Sequence, residues 1–446
     1  MVMVILFILF VIFIALLGFF LQTSKTNKKL EKANNLYKSE KYKEALELFQ
    51  ELYSKQSGNK LYNWYIGQCY EKLKNYELAL VEYNKASLST KFIPPLNEAE
   101  VHKRIALANL ELGNVNRAYR EFQIVTTLNP QNPDAYFYLG VMAKNKGELQ
   151  KGVEFFEKAF QYKKDYPEAY FEHGKLNYLL MHTDKAKKSL LEAINQDPDL
   201  YEAHYYYGII LEKDKVYQKS IDEFLLALRD DRFKFDSYVH LGSIYMALSD
   251  KDSAFDIFEK ALAVGTVNKE SLLDAKYKYA DYLVQERDLN RALKLWQEIY
   301  SQDDRYKDVE SKIQIYGDIS KSENLTRFFT SLKQDFIKTG YTLCKLLRVK
   351  VENYNFQKND LLEFIGTSRL GRDDIICVMH MVRWTSLVGE IPVRELIDSV
   401  VERGASKGIF VTATYFSEKA HNLSKIRPLE LIEREKLEQL LSKVYE

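Results

Sequence analysis

Residues 133–167 read "PDAYFYLGVMAKNKGELQKGVEFFEKAFQYKKDYP". Within them Gly140 is followed by Ala143, Gly152, Phe156 and Ala159, at +3, +12, +16 and +19. The same ladder recurs on both sides. Gly174 leads to Asn177, Ala186, Leu190 and Ala193, with Pro198 beyond. Gly208 leads to Leu211, Ser220, Phe224 and Ala227, and Gly242 to Tyr245, Ala254, Phe258 and Ala261. These four glycines are 34 residues apart, and Gly67 stands in the same context before Tyr70, Ala79, Tyr83 and Ala86. Alanine takes the glycine's place at Ala33, Ala106 and Ala280. A fixed period of this size marks a repeat array, here about eight helical hairpins over residues 26–306. Two registers stretch, by five residues at "KFIPP" (91–95) and by four around 265–271. Small residues on facing helices allow close approach, the aromatic at +16 is expected to fill the gap to the neighbouring hairpin, and proline ends one unit and opens the next.

This pattern resembles the tetratricopeptide repeat. The resemblance implies a right-handed solenoid of helical hairpins with a concave groove that binds a protein or peptide. Trp64, Phe137, Phe171, Tyr205 and Tyr277 each stand three residues before the small residue. They form an aromatic ladder in the groove or they pack between hairpins, and the sequence leaves both readings open. The lysine and asparagine rows of a carboxylate clamp do not recur. Asp197–Asp199 and Asp230–Asp231 fall near hairpin joints and read as helix caps and solvated charge.

Composition fits a folded, mostly helical chain: 446 residues, 46% hydrophobic and 28% charged, with only 18 Gly and 8 Pro against 32 Tyr and 25 Phe. A formal net charge of +1 excludes a global pull toward nucleic acid or anionic lipid. Cys69, Cys344 and Cys377 are isolated and read as free buried thiols; no spacing suits zinc. His102, His182, His204 and His240 read as packing or surface residues. Val2 to Leu21 contain no charged residue, and twenty helical residues span roughly 30 Å, so residues 1–22 read as a retained transmembrane anchor in the inner (cytoplasmic) membrane. Lys25, Lys28, Lys29 and Lys32 follow it, which places the bulk of the chain in the cytoplasm, with the periplasm as the alternative.

After residue 306 the period stops. Residues 307–337 read as a helical linker, with Phe328, Leu332, Phe336 and Cys344 on one apolar face reaching into the next domain. Residues 338–446 read as a small α/β domain, with β-type runs "LLEFIG" (361–366), "DIICVMHMV" (374–382) and "GIFVTA" (408–413) interleaved with helical patterns. From Val388, "VGEIPVRELIDSVVERGASKGIFVTATYFSEKAHNLSK" and then "LELIEREKLEQLL" resemble the restriction-endonuclease-like domain of the Mrr family. "FIKTGYTLCKLL" (336–347) fits that family's opening helix, and His421 lies in a helix start the family uses structurally. The resemblance implies Mg²⁺-dependent DNA cleavage by an Asp on one strand and a Glu or Gln, any residue, and Lys on the next. Two oxygen ligands hold the hard cation and the lysine serves the attacking water.

Carried over residue by residue, that motif is degenerate. Asp360 matches the first aspartate, His380 the Glu/Gln place, Val382 the lysine, and Arg383 with Trp384 the basic-aromatic pair that follows. Shifting the register by one brings Arg383 to the lysine and Met381, a poor Mg²⁺ ligand, to the metal. A histidine site with Asp360 and Asp373 or Asp374 is the remaining route to a metal. No catalytic residue, metal or cofactor is therefore expected, and Mg²⁺ enters only if the nuclease reading holds. The leading expectation is a membrane-anchored scaffold with a protein or peptide in the groove. The alternatives are a membrane-tethered Mrr-type DNA endonuclease and a component of a periplasmic assembly such as the spirochaete flagellar collar.

Overall fold

The computed structural model describes residues 2–266, 268–357, 360–370, 373–425 and 428–446, leaving aside the side chains at positions 2, 4–8, 11, 13, 15–22 and 370. The chain divides into two compact units, Met1–Phe233 and Lys234–Glu446.

The first unit is a series of helical hairpins: α1 (Val2–Lys38) with α2 (Tyr42–Lys55), α3 (Lys60–Lys72) with α4 (Tyr76–Ser87), and α5 (Glu98–Glu111) with α6 (Val115–Leu128). It continues through α7 (Pro133–Asn145) with α8 (Leu149–Tyr162), α9 (Pro167–Leu179) with α10 (Thr183–Gln196), and α11 (Tyr201–Lys213) with α12 (Tyr217–Ala227). Asn59, Asn75, Asn97 and Asn132 cap helix starts by accepting backbone N–H bonds, and proline opens α7 and α9. Each hairpin turn has one residue in the left-handed region: Glu40, Lys74, Gly113, Gly147, Met181 and Lys215, with φ between 59° and 79°. The next residue returns its N–H to a carbonyl five positions back, as His182 does to Asn177 at 2.8 Å. These turns fall 34 residues apart except between Lys74 and Gly113, where the 39-residue step contains "KFIPP".

A Cβ on Gly67 would stand 2.6 Å from the Tyr83 ring, and one on Gly140 2.8 Å from Phe156. The ring at +16 thus lies on the small residue of its own hairpin. It also reaches the next one: Phe49 stacks on Tyr65 at 4.8 Å and Phe122 on Tyr138 at 5.0 Å. The +12 residue meets the glycine's backbone, as when Ser220 Oγ donates to the Gly208 carbonyl at 2.8 Å.

The second unit begins with two hairpins, α13 (Lys234–Ala247) with α14 (Lys251–Val264) and α15 (Lys269–Gln285) with α16 (Leu289–Gln302). Their turn residues Ser249 and Arg287 are 38 apart, which accounts for the four-residue stretch. Then come α17 (Val309–Ser320), α18 (Glu323–Thr330) and α19 (Lys333–Leu346), followed by β1 (Val349–Phe356), β2 (Leu361–Leu370), β3 (Asp373–Val382), α20 (Glu390–Glu402), β4 (Lys407–Thr412), α21 (Glu418–Ser424), β5 (Leu429–Ile432) and α22 (Arg434–Tyr445). The sheet order is β1-β2-β3-β4-β5, antiparallel as far as β3 and parallel beyond it.

One face of the sheet, with Phe364, Met379 and Ile409, shares a continuous core with Trp296 of α16, Tyr316 of α17, Phe328 of α18 and Phe336 of α19. The other face, with Val378, Val382 and Phe410, is covered by Val393, Leu396 and Ala420 of α20 and α21. The linker expected over 307–337 is therefore corrected. Ile319, Phe328 and Phe336 are fully buried, because their helical spacing gives α17 to α19 an apolar face that the hairpins and the sheet jointly enclose. Leu332, placed on that face by the sequence, is instead 71% exposed.

Helix α1 is unbroken from Val2 to Lys38. Among the described residues no helix is long and apolar enough to cross a membrane. Most side chains behind the anchor expectation for residues 1–22 lie outside the described ones. All three cysteines are free and buried.

Candidate functional site

β2 and β3 pair so that Glu363 stands directly opposite His380. Alternation along the strands turns both toward α20, and each is only 3% exposed. His380 Nε2 lies 3.1 Å from Glu363 Oε2. An ionised carboxylate only accepts, so Nε2 carries the hydrogen, and the buried Nδ1 has no partner among the described residues. Helix α20 closes the arrangement. Ser399 Oγ donates to Glu363 Oε2 at 2.8 Å, and Arg403, just past the helix end, brings Nη2 to 2.7 Å from Oε1. The bond from His380, with those from Arg403 and Ser399, outweighs burial and holds the Glu363 carboxyl down to about 2.

Asp360, the residue matched to the family aspartate, does something else. It precedes β2 in the left-handed region at φ 56°. Its Oδ1 accepts from Arg383 Nη2 at 3.0 Å, and Arg287 Nη2 stands 3.7 Å from Oδ2. Both arginines also donate to the Ser331 carbonyl, and the Arg383 guanidinium lies 4.4 Å above the Phe336 ring. Asp360 and Arg383 thus fasten the strand ends to the α15–α16 turn and the α18–α19 joint. Val382 is fully buried among apolar side chains. Asp373 and Asp374 sit at the far end of β3, roughly 20 Å from His380 at strand spacing, so they form no common site with it.

The carboxylate facing His380 is Glu363, which the sequence reading passed over inside "LLEFIG". The available signal was register: pairing "LLEFIG" antiparallel with "DIICVMHMV" around a tight turn sets the two residues opposite. Mg²⁺ calls for several oxygen ligands. Here one carboxylate is already bonded to three donors, the position matched to the lysine is the valine Val382, and among the described residues no group of three His, Cys, Asp or Glu could hold a metal. The residues present do not fit the ion that the family resemblance implies.

In the repeats, Trp64 and Phe171 are buried, and Phe137, Tyr205 and Tyr277 are half-buried. Trp64 leans on Tyr83 at 5.4 Å, Phe137 stacks on Tyr166 at 5.1 Å, and Tyr205 stacks on Phe233 at 5.0 Å. Lys175 stands 5.5 Å over the Phe171 ring, and the Tyr277 hydroxyl donates to Asp308 at 2.6 Å. Successive first helices of the hairpins are instead bridged by ion pairs that the sequence reading missed. They are Glu71–Arg104 (2.8 Å), Lys103–Asp134 (3.3 Å), Lys144–Glu172 (2.7 Å) and Lys175–Glu202 (2.6 Å). Their trace in the sequence is a base and an acid about one repeat apart.

Comparison with known proteins follows this division. Residues 326–441 match the Mrr_cat restriction endonuclease family, and residues 30–93, 103–167 and 235–264 match the tetratricopeptide repeat families TPR_16 and TPR_8. The TPR repeat-containing protein YpiA of Bacillus subtilis is 23% identical over 206 residues, 46% of this chain and 47% of YpiA. The chain thus spans about half the length of that relative. The DnaJ homolog subfamily C member 7 homolog of Schizosaccharomyces pombe is 23% identical over 353 residues, covering 72% of this chain and 69% of that protein. Among solved structures, the C-terminal part of a TPR repeat-containing protein from Cytophaga hutchinsonii is 19% identical with a TM-score of 0.39, covering 64% of this chain and 99% of that one.

Proposed function

We propose that this chain, a tetratricopeptide-repeat protein with a C-terminal restriction endonuclease domain of the Mrr_cat family, acts as a protein-binding scaffold whose nuclease-like domain does not cleave DNA. The observation that carries the second half is the state of Glu363. Its carboxylate is buried under α20 and neutralised by Arg403, and the position matched to the lysine is the apolar Val382. With three donors on it and only 3% exposure, the Glu363 carboxylate is shut off from a scissile phosphate. The first half rests on the repeats, whose architecture is suited to binding a protein or peptide.

The apolar run at residues 2–21 supports membrane attachment as part of the same reading, on the cytoplasmic or the periplasmic side. Purified full-length protein in detergent, with Mg²⁺ or Mn²⁺ and supercoiled plasmid, is expected to leave the plasmid intact. In parallel, tagged full-length protein is expected to retain a stable partner from membrane extracts. Nicking that disappears in Glu363→Gln would replace this reading with the endonuclease one.

A further inference from the structure

In the first unit, the joints between hairpins at 56–59, 129–132, 163–166 and 197–200 hold four residues each, whereas the joint between α4 and α5, at 88–97, holds ten. Phe92 and Leu96 of this long joint turn inward to Trp64, Tyr83 and Val101. Ile93 stays out at 66% exposure, and so does Leu88 at 71%. The Leu96 N–H bonds the Ile93 carbonyl at 3.0 Å and Ser89 Oγ donates to the Lys91 carbonyl at 2.8 Å, so the joint is a built turn. Together with the start of α3 it walls a cavity of about 470 Å³, lined by Leu88 and Ile93. The charged residues lining that cavity are Lys60 and Lys91, and neither forms an ion pair among the described residues. An exposed apolar pair is thus flanked by uncompensated positive charge.

The edge of the unit that carries this joint is the one at which α1 leaves it. Lys29 of α1 pairs with Glu51, near the end of α2. Helix α2 runs back along α1 and α3 back along α2, and a hydrogen bond between Tyr65 and Asn34 brings Lys60 roughly level with Lys29. Before Lys29, α1 continues unbroken into the apolar run at residues 2–21, with Lys25 and Lys28 on the way. From Leu21 to Lys29 is about 12 Å of helix, of which the headgroup layer of a bilayer takes up about half. The extra residues of the long joint, running out and back, extend its reach by up to about 10 Å, which covers the remainder.

We propose that the α4–α5 joint docks on an anionic bilayer surface, with Leu88 and Ile93 entering the boundary between headgroups and acyl chains and Lys60 and Lys91 meeting lipid phosphates. Burial of the two apolar side chains supplies one part of the attraction, and each lysine close to an anionic surface adds to it. The first unit is thereby held at two points, α1 and the joint, with its hairpin turns directed away from the membrane. This rests on the reading that residues 2–21 enter a membrane.

The test uses full-length protein reconstituted with vesicles of phosphatidylcholine, with or without phosphatidylglycerol. The native cysteines are buried, so Ile93→Cys, or Met181→Cys at the opposite edge, offers an accessible thiol for an environment-sensitive fluorophore. Flotation reports the anchor, and quenching by lipids spin-labelled near the headgroup reports docking. The label at 93 is expected to be quenched in phosphatidylglycerol vesicles and the label at 181 to stay in water. Lys60→Ala and Lys91→Ala should each lower the docked-to-free ratio about fivefold, and added salt should release the joint. Protein that floats while the label at 93 is quenched no more than the label at 181 overturns the proposal and leaves the anchor standing. Protein that does not float removes both. Equal quenching in the two lipid mixtures overturns the anionic surface. A label at 93 shielded only when a partner protein is bound makes the joint a protein interface and likewise overturns the proposal.

Discussion

Arg403 Nη2 stands 2.7 Å from Glu363 Oε1, the oxygen that His380 and Ser399 leave free. A permanent cation is thereby built in against the buried carboxylate. Because the Glu363 pKa is depressed in the fold, its contribution to stability is complete above the unfolded value near 4.5 and is lost as pH falls toward about 2. Glu363→Gln should cost on the order of 2–3 kcal/mol at pH 7, with the deficit shrinking between about pH 4.5 and 2. Urea denaturation of both proteins at several pH values reads this directly. A deficit independent of pH would show that the carboxylate's charge contributes nothing.

Phe328 belongs to the core shared by the C-terminal hairpins and the sheet. Phe328→Ala should cost about 3–5 kcal/mol. In hydrogen exchange, α15 and α16 and the strands β2 to β4 should lose protection by similar amounts. Loss confined to one of these groups would mean two cores rather than one.

Glycine is required at some positions and incidental at others. Gly140→Ala drives a methyl into the Phe156 ring and should cost about 1–3 kcal/mol. A methyl on Gly58 would meet nothing within 4 Å, and Gly58→Ala should stay within about 0.5 kcal/mol. Equal melting temperatures for the two variants would contradict the close approach.

Met181 occupies a left-handed turn at φ 60° and is 79% exposed. The left-handed backbone costs a non-glycine residue about 1–2 kcal/mol, and glycine's larger unfolded-state freedom offsets part of the gain. Met181→Gly should raise stability by about 0.5–1 kcal/mol, visible as a higher denaturation midpoint. A lower midpoint would mean the methionine side chain makes contacts that outweigh its backbone.

The repeats are legible in the sequence because one physical requirement, a small residue under the +16 side chain, recurs at a fixed interval. Both stretched registers are readable for the same reason. Three strands of the α/β domain stand out as apolar runs. β1 does not, because "VKVENYNF" lies at the sheet edge, where most of its side chains face solvent and Asn and Glu interrupt the pattern. Strand β5, at the opposite edge, reads only as a short apolar run. His380 is reached through a family motif, but Glu363 is hidden by its apolar neighbours. Asp360 draws attention by standing where a strand begins, and its bonds to Arg383 and Arg287 depend on residues distant in sequence. The cavity between Lys60 and Lys91 cannot be seen at all. It depends on Phe92 and Leu96 turning into the core while Ile93 stays out, which is settled only once α3, α4 and α5 are packed.

The common core of the second unit has a practical meaning for anyone dividing the chain. The family match starts at residue 326, yet Tyr316 and Ile319 of α17 and Leu325, at the start of α18, lie before that point and are buried with the sheet's side chains. A fragment cut at the family boundary would expose a raw apolar face on both pieces, which invites aggregation. Cleavage at 306 divides the same core between Trp296 and Tyr316, whose rings lie 5.0 Å apart. The modules recognised by sequence are thus smaller than the piece that must fold together.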